Sequence, residues 1–146
     1  MTTVSDVMTR NVRSMRATDT LAAAAQAMEA LNVGVIPVCE GNQLLGMVTD
    51  RDIVVRGVAQ GLDSTTATLS DVMSANVRTV REDDNVDEVL QSMADNQIRR
   101  MPVVDAQGGL IGILSIGDIA VKDPGNETDV AASLGDISSP AKPDRA

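Results

Sequence analysis

The chain has 146 residues, a formal net charge of −9, and no His, Phe, Tyr or Trp. This length suffices for one compact domain, whose core must be filled by Val, Ile, Leu, Ala and the eight Met residues. The acidity argues against binding to nucleic acid or to an anionic membrane surface, because both need clustered Lys and Arg. The lack of His excludes imidazole bases, His-dependent triads and most zinc sites.

No apolar stretch approaches the roughly 20 residues that cross a bilayer, and no apolar signal segment is recognisable at the start. The sequence therefore predicts a cytoplasmic protein. Cys39 is the only cysteine and lies in the apolar run 35–39, so an internal disulfide is impossible. We expect Cys39 to be a small buried side chain rather than a redox or catalytic thiol.

The sequence is an internal repeat. Residues 5–8 recur at 70–73, residues 11–13 recur at 76–78, and the Pro-Val pair at 37–38 recurs at 102–103. One inserted residue then shifts the alignment, so that Gly46, Asp52 and Ile53 match Gly112, Asp118 and Ile119. Such a repeat indicates two copies of one supersecondary unit. We assign residues 1–62 to the first repeat, 63–122 to the second, and 123–146 to a partly flexible tail.

Both repeats show the same predicted order of elements, which makes the chain an α/β protein of two tandem βαββα units. A helical lead-in capped by Ser5 or Ser70 is followed by a brief strand, a helix opened by Asp19 or Asp84, a hairpin and a closing helix. The predicted strands are 12–15, 35–39 and 44–48 in the first repeat and 77–80, 101–104 and 110–114 in the second. The closing helices begin at Thr49 and Ser115.

The last strand of each hairpin carries the most specific pattern. Gly and two aliphatic residues are followed by Thr or Ser, two variable residues, Asp and Ile, at residues 46–53 and again at 112–119. Each copy resembles the CBS domain, named for cystathionine beta-synthase. The tandem pair resembles a Bateman module, and in particular the stand-alone bacterial CBS pairs of the hypoxic-response type. The resemblance covers about residues 4–122.

This resemblance implies a fold, a ligand and an assembly. The two repeats are expected to pack about a pseudo-twofold axis and to leave two equivalent clefts between them. Many members bind AMP, ATP or another adenosyl compound in these clefts, and most form homodimers through their helices. No catalytic residue, metal or required cofactor is implied for this chain.

The Thr49-x-x-Asp52 and Ser115-x-x-Asp118 sequences have two interpretations. A carboxylate in the first turn of a helix accepts hydrogen bonds from vicinal ribose hydroxyls, and the free N–H groups of that turn suit phosphate. The same spacing is also a capping box, which only stabilises a helix start. Because the pattern occurs at the same place in both repeats, we favour a ribose site in at least one cleft.

Each cleft is expected to combine residues from both repeats, by analogy with the family. The first is expected to contain Thr49, Arg51, Asp52, Asn76, Arg78 and Ile98. The second is expected to contain Asn11, Arg13, Val33, Arg99, Arg100, Ser115, Gly117 and Asp118. The guanidinium groups of Arg99 and Arg100 suit phosphate, so the second cleft should favour it more. The alternative for this pair is a solvated or ion-paired surface, and Asn11 and Asn76 could serve only to shape turns.

Other function classes compete with a nucleotide sensor. In a non-binding interaction module, Arg51 or Arg99 would fold across to Asp52 or Asp118 and occlude the clefts. An enzyme is disfavoured, because no His, activated nucleophile or Walker-type glycine loop accompanies the carboxylates. The favoured interpretation is a regulatory module in which a bound nucleotide changes the packing of the repeats and thereby a separate effector protein.

Overall fold

A computed structural model of the chain describes residues 2–122. The helices are α1 (Val4–Val7), α2 (Leu21–Leu31), α3 (Asp50–Asp52), α4 (Val86–Asn96) and α5 (Ile116–Lys122). The strands are β1 (Thr9–Arg10), β2 (Val35–Glu40), β3 (Gln43–Thr49), β4 (Ser74–Ala75), β5 (Val80–Arg81), β6 (Arg100–Val104) and β7 (Leu110–Ser115). Helix α3 continues as a π-helical turn, Ile53–Gly57, and a 3-10 turn, Val58–Gln60, and a further 3-10 turn covers Leu69–Asp71.

The chain divides into two compact units, and both repeats contribute to each of them. Among the described residues, unit 1 contains 2–11, 79–105 and 111–122, and unit 2 contains 12–78 and 106–110. A boundary at residue 62 therefore separates the repeats along the sequence but does not separate the two units in space. The repeat boundaries themselves stay a prediction.

Unit 1 is built on a four-stranded sheet in the order β1-β7-β6-β5. Strand β1 runs antiparallel to β7, and β5 runs parallel to β6. Helix α1 belongs to this unit, since Val4 N donates to Asp84 O at 3.0 Å and Ser5 N donates to Glu82 O at 2.8 Å. The buried core joins α1 to α4, α5 and the sheet through Val4, Val7, Met8, Val86, Leu90, Met93, Leu114 and Ile119.

Unit 2 has a three-stranded sheet in the order β2-β3-β4, and Met15 adds a parallel bridge to Val38 of β2. The turn at Leu69–Asp71 belongs to this unit, since Leu69 N donates to Asp19 O at 2.9 Å and Ser70 N to Ala17 O at 3.0 Å. Its core contains Met15, Leu21, Ala24, Met28, Ile36, Val38, Val48, Ile53, Leu69 and Val72.

The lead-in segments are exchanged between the repeats. Residues 2–11 of the first repeat complete unit 1, and residues 69–75 at the start of the second repeat complete unit 2. The physical reason is the burial of apolar side chains, because Val4, Val7, Leu69 and Val72 are each at most 1% exposed in the core they join.

Several predicted element boundaries are wrong. The lead-ins are capped by Thr3 and Thr68, not by Ser5 and Ser70. Residues 12–15 contain no strand beyond the single bridge at Met15, and of the predicted strand 77–80 only Val80 lies in a strand, β5. Two further short strands, β1 and β4, lie earlier in each repeat and were not predicted. The hairpins at β2–β3 and β6–β7 are confirmed to within two residues at each end.

The starts of the two long helices also differ from the prediction. Thr20 and Asn85 are the N-caps of α2 and α4. Asp19 and Asp84 instead accept from the backbone N–H groups of Arg16 and Arg81 at 2.8 Å, which closes the turn before each helix. The longest described helices have 11 residues, and within residues 2–122 none has the length and apolar character needed to cross a bilayer.

Candidate functional site

Four Ser/Thr-x-x-Asp sequences form capping boxes, in which each side-chain oxygen accepts from the other residue's backbone N–H. The pairs are Thr3–Asp6, Thr49–Asp52, Thr68–Asp71 and Ser115–Asp118. Asp6 and Asp71 are exposed, whereas the side chains of Asp52 and Asp118 are only 14% and 19% exposed. Capping geometry is thus common to all four pairs, and partial burial distinguishes the two that belong to the specific pattern at 46–53 and 112–119.

The Asp52 site lies in unit 2 and is defined by Thr49, Asp52, Arg56 and Ser74. Thr49 N donates to Asp52 Oδ2 at 3.0 Å, and Asp52 N donates to Thr49 Oγ1 at 3.0 Å. Arg56 Nε lies 3.9 Å from Asp52 Oδ1, and Arg56 Nη1 donates to Val72 O at 3.3 Å. The cap engages Oδ2, so Oδ1 faces the guanidinium group at a distance too long for a hydrogen bond.

The Asp118 site lies in unit 1 and is defined by Thr9, Ser115, Asp118 and Lys122. Ser115 N donates to Asp118 Oδ2 at 3.2 Å, and Asp118 N donates to Ser115 Oγ at 3.0 Å. Thr9 Oγ1 also donates to this carboxylate, at 3.1 Å from Oδ1 and 3.3 Å from Oδ2. Lys122 Nζ lies 3.8 Å from Oδ1. Both carboxylate oxygens of Asp118 therefore have partners.

A glycine in each hairpin allows the lead-in strand to approach the site. Strand β4 pairs with β3 with Ala75 opposite Gly46, and β1 pairs with β7 with Arg10 opposite Gly112. A Cβ on Gly112 would lie 2.5 Å from the carbonyl oxygen of Thr9, and one on Gly46 would clash with the carbonyl oxygen of Ser74. Only glycine permits this backbone contact, which places residues 9 and 74 beside their capping boxes.

Asn11 and Asn76 follow the lead-in strands in the left-handed backbone region, with φ of 57° and 55°. Asn tolerates this region better than most residues, which explains its presence in both repeats. The turn-shaping role is thus observed. Asn11 belongs to unit 1 with Asp118, and Asn76 belongs to unit 2 with Asp52.

The two sites differ where the repeat symmetry breaks. Ile116 N donates to Arg99 O at 3.0 Å in unit 1, and at the equivalent place in unit 2 Asp50 N donates to Gly34 O at 3.0 Å. Arg99 and Arg100 are exposed, and no ion pair joins them to another residue of 2–122. In unit 2 the Asp50 carboxylate lies over Gly34, since a Cβ there would be 3.2 Å from Asp50 Oδ2.

The predicted site residues are distributed over both units. Unit 2 contains Thr49, Arg51, Asp52, Asn76 and Arg78 of the first predicted cleft, and unit 1 contains Asn11, Arg99, Arg100, Ser115, Gly117 and Asp118 of the second. Ile98 belongs to unit 1, where it packs on the core, and Arg13 and Val33 belong to unit 2. The assignment of these last three residues to clefts shared by both units stays a prediction.

Sequence reasoning missed Thr9, Arg56 and Lys122. Arg56 and Lys122 lie four residues after Asp52 and Asp118, a helical spacing that brings side chains together and that could have identified them. Arg56 forms an ion pair with Asp52, and Lys122 forms one with Asp118. No local pattern connects Thr9 with Asp118, 109 residues later.

Comparison with known proteins identifies the repeat. The family model for the CBS domain matches residues 4–57 and 69–123. CBS domain-containing protein YhcV of Bacillus subtilis is 42% identical over 94% of this chain and 96% of its own length. Hypoxic response protein 1 of Mycobacterium tuberculosis is 40% identical over 82% of this chain and 84% of its own length. The chain is thus similar over nearly its full length to stand-alone CBS proteins.

Solved structures show the same fold. Hypoxic Response Protein I, solved with two coordinated zinc ions, matches with a TM-score of 0.75 and 39% identity over 83% of this chain and 98% of its own. CBSX2 in complex with AMP matches with a TM-score of 0.74 and 29% identity over 83% and 95% of the two chains. The CBS domain pair of MJ0100 was solved in complex with 5′-methylthioadenosine and S-adenosyl-L-methionine. It matches with a TM-score of 0.75 and 28% identity over 86% of this chain and 98% of its own.

The ligands of these relatives differ in chemistry: zinc ions, AMP and sulfur-containing adenosyl compounds. The sequence of this chain has no His, and among residues 2–122 no three His, Cys, Asp or Glu side chains are grouped so as to hold a metal ion. Two matches to the family model, covering most of the sequence, and relatives at 40% identity or more define its family. The chain belongs to the CBS-domain proteins and carries two CBS domains in tandem.

Proposed function

We propose that this chain is a non-catalytic regulatory module that binds an adenine nucleotide such as AMP or ATP at the Asp52 and Asp118 sites. The observation that carries the proposal is the duplicated placement of a partly buried carboxylate beside a lead-in strand that glycine allows to approach. AMP and adenosyl ligands in the complexes of CBSX2 and MJ0100 support the ligand class.

Each residue type has a role that follows from its chemistry. Asp52 and Asp118 accept hydrogen bonds from the ribose hydroxyls, while their capping bonds fix the carboxylate orientation. Arg99 and Arg100 hold phosphate in the Asp118 site, because guanidinium groups form bidentate bonds to phosphate oxygens. The base lies against aliphatic side chains, because the sequence has no aromatic residue to stack on it.

The variants Asp52→Asn and Asp118→Asn test the ribose role. Asn keeps the oxygen that accepts the capping N–H, so the helix start stays intact while the charge on the ribose acceptor is removed. We expect each variant to weaken AMP binding at its own site by about tenfold or more, because hydrogen bonds to charged groups are stronger than neutral ones. Isothermal titration calorimetry measures this.

Asp6→Asn and Asp71→Asn are the matched controls, because they make the same change in the two capping boxes outside the sites. They should leave AMP affinity within twofold of wild type, by analogy with other exposed positions. A thermal shift with an external dye provides a second readout, since a ligand that binds the native state raises its melting temperature. Equal affinities in all four variants would contradict the ribose role.

Regulation would follow from coupling between ligand and packing. The nucleotide shifts the arrangement of the module by no more than its difference in affinity for the two arrangements. The output passes through a homodimer formed by the CBS helices to a separate effector protein in the cytoplasm. Exposed Val54, Val55, Val58 and Leu62 on the segment after α3 provide the apolar surface for the dimer.

A second candidate is an interaction module whose sites bind no ligand. The observation in its favour is the Asp118 carboxylate, which already accepts from Thr9 and Ser115 and pairs with Lys122. Under this alternative, AMP, ADP, ATP, S-adenosylmethionine and NAD at millimolar concentration, with or without Mg²⁺, would leave the melting temperature unchanged. A shift with any one of them favours the sensor.

A further inference from the structure

The Asp118 carboxylate of unit 1 and the Asp52 carboxylate of unit 2 differ in the hydrogen-bond donors that they already have. Asp118 accepts from the Thr9 hydroxyl as well as from its capping N–H. The residue equivalent to Thr9 in unit 2 is Ser74, and no hydrogen bond joins its hydroxyl to Asp52 in the described structure. A ribose diol at Asp118 must therefore displace or share an internal donor, whereas at Asp52 it meets Oδ1 without such a competitor.

The charges beside the two carboxylates differ as well. At the Asp118 site, Lys122 pairs with the carboxylate, and the exposed Arg99 and Arg100 lie at the start of β6, where the Arg99 carbonyl oxygen accepts from Ile116 N at the start of α5. At the Asp52 site, Arg51 and Arg56 are offset by Asp50 and Asp52. Arg13 and Arg78 hold equivalent positions after β1 and β4, and both belong to unit 2.

The position of Asp50 increases the difference in charge between the two sites. Gly34 and Arg99 are equivalent residues, since their carbonyl oxygens accept equivalent bonds from Asp50 N and Ile116 N. Unit 1 has the exposed guanidinium group of Arg99, which forms no ion pair within residues 2–122. Unit 2 has no side chain at the equivalent position, and the Asp50 carboxylate covers the glycine. A phosphate placed there would meet an anion in unit 2 and a cation in unit 1.

From these differences we infer that the two sites select different parts of an adenosyl ligand. The Asp52 site recognises the ribose and binds adenosyl compounds without a phosphate, such as nucleosides and their thioethers. The Asp118 site requires a phosphate group. The attraction of that phosphate to Arg99 and Arg100 offsets the free-energy cost of displacing the Thr9 hydroxyl from Asp118. This inference rests on the proposed function and assigns a ligand class to each of its sites.

Calorimetric titration with 5′-methylthioadenosine and with AMP tests the inference. We expect one 5′-methylthioadenosine per chain, at the Asp52 site, and two AMP per chain, of which the one at the Asp118 site binds more tightly. Asp52→Asn should lower the affinity for 5′-methylthioadenosine at least tenfold, and Asp118→Asn should leave that affinity within twofold of wild type. The double variant Arg99→Gln with Arg100→Gln should weaken one of the two AMP sites at least tenfold and leave 5′-methylthioadenosine unchanged.

The role of the Thr9 hydroxyl has its own test. Thr9→Val removes the hydroxyl with little change of shape and should allow a second 5′-methylthioadenosine to bind. Thr79→Val makes the same change at an exposed position outside both sites and is the control; it should bind one, as the wild type does. A circular-dichroism melt of each variant verifies that the fold is kept.

The possible results separate this inference from the proposal on which it rests. If neither compound binds the wild-type chain, the proposed function fails and the inference falls with it. If both bind but 5′-methylthioadenosine depends on Asp118, or AMP is insensitive to the double Arg variant, the division between sites is wrong while nucleotide binding stands. Two equal 5′-methylthioadenosine sites in wild type would likewise overturn the division.

Discussion

A single carboxylate serves both the fold and the proposed site at positions 52 and 118. In each case the cap uses Oδ2, and the second oxygen points toward a cation four residues later. The capping interpretation and the ribose interpretation are therefore compatible, because a carboxylate has acceptor capacity for more than one donor. Asp6 and Asp71 make the same cap, and neither carboxylate forms an ion pair with a cation of residues 2–122.

Cys39 allows a prediction at the residue scale. The thiol is 3% exposed, and burial raises its pKa above the ordinary value, although a hydrogen bond with Ser14 opposes the shift. Because the thiolate is the reactive form, a disulfide reagent at pH 8 should modify the native protein roughly a hundredfold more slowly than the urea-unfolded protein. Absorbance of the released chromophore measures both rates.

The same raised pKa sets a pH dependence of stability. The folded state favours the protonated thiol. The contribution of Cys39 to the free energy of unfolding is therefore fully present below the ordinary thiol pKa, and it declines as the pH rises past that value. Fast, stoichiometric labelling of the native chain would show that Cys39 is accessible and would contradict its assignment as a core side chain.

At the element scale, the exchanged lead-in segments decide the site geometry. Strands β1 and β4 have two residues each, and their positions depend on close backbone contact with Gly112 and Gly46. Neither strand is long enough to form from local propensity alone, so the apolar lead-ins next to them, buried in each core, must hold them in place.

Gly112→Ala tests this dependence. The new Cβ would lie 2.5 Å from the Thr9 carbonyl oxygen, a backbone atom that cannot rotate away. We expect a loss of about 1–3 kcal/mol in the free energy of unfolding, the range typical of overpacking. Urea denaturation followed by circular dichroism measures this, since the sequence has no aromatic residue to report by fluorescence.

Gly117→Ala is the control for this variant. A Cβ there would meet Ser115 Oγ at 3.6 Å, which is an ordinary contact, and the position lies in α5. Replacing a helical glycine by alanine should stabilise the chain by up to about 1 kcal/mol. If Gly112→Ala were as stable as wild type, the lead-in strand would not approach β7 as closely as the structure shows.

At the scale of the whole molecule, the exposed apolar side chains predict self-association. Val54 and Val58 are 56% and 63% exposed and lie four residues apart on the helical segment after α3. The double variant Val54→Asp with Val58→Asp should convert a dimer to a monomer, because it places charge in the apolar contact. Sedimentation velocity at micromolar concentration measures the change in mass.

Asn42→Asp, which adds a charge at the hairpin turn outside this surface, should leave the dimer intact. A wild-type chain that sediments as a monomer across the same concentrations would contradict dimer formation through this segment. A dimer unaffected by the double Val variant would place the contact elsewhere.

The two hairpins and the capping sequences at 49–52 and 115–118 were predicted from sequence, because they depend on neighbours within about ten residues. The caps at Thr3 and Thr68 were missed. The strands predicted at 12–15 and 77–80 are reduced to a bridge at Met15 and the start of β5, because such short strands have no periodicity to detect. Of the site, the sequence indicated Asp52 and Asp118 through their duplication, and it missed Thr9 because its partner lies in the other repeat.

By itself the sequence determined the repeat, the family and the chemistry available at each capping box, because these follow from residue identity and local spacing. Only the tertiary structure decided that residues 2–11 complete the unit of the second repeat and residues 69–75 that of the first. That exchange depends on which core buries Val4, Val7, Leu69 and Val72. Burial is a collective property of distant segments, so no local pattern encodes it.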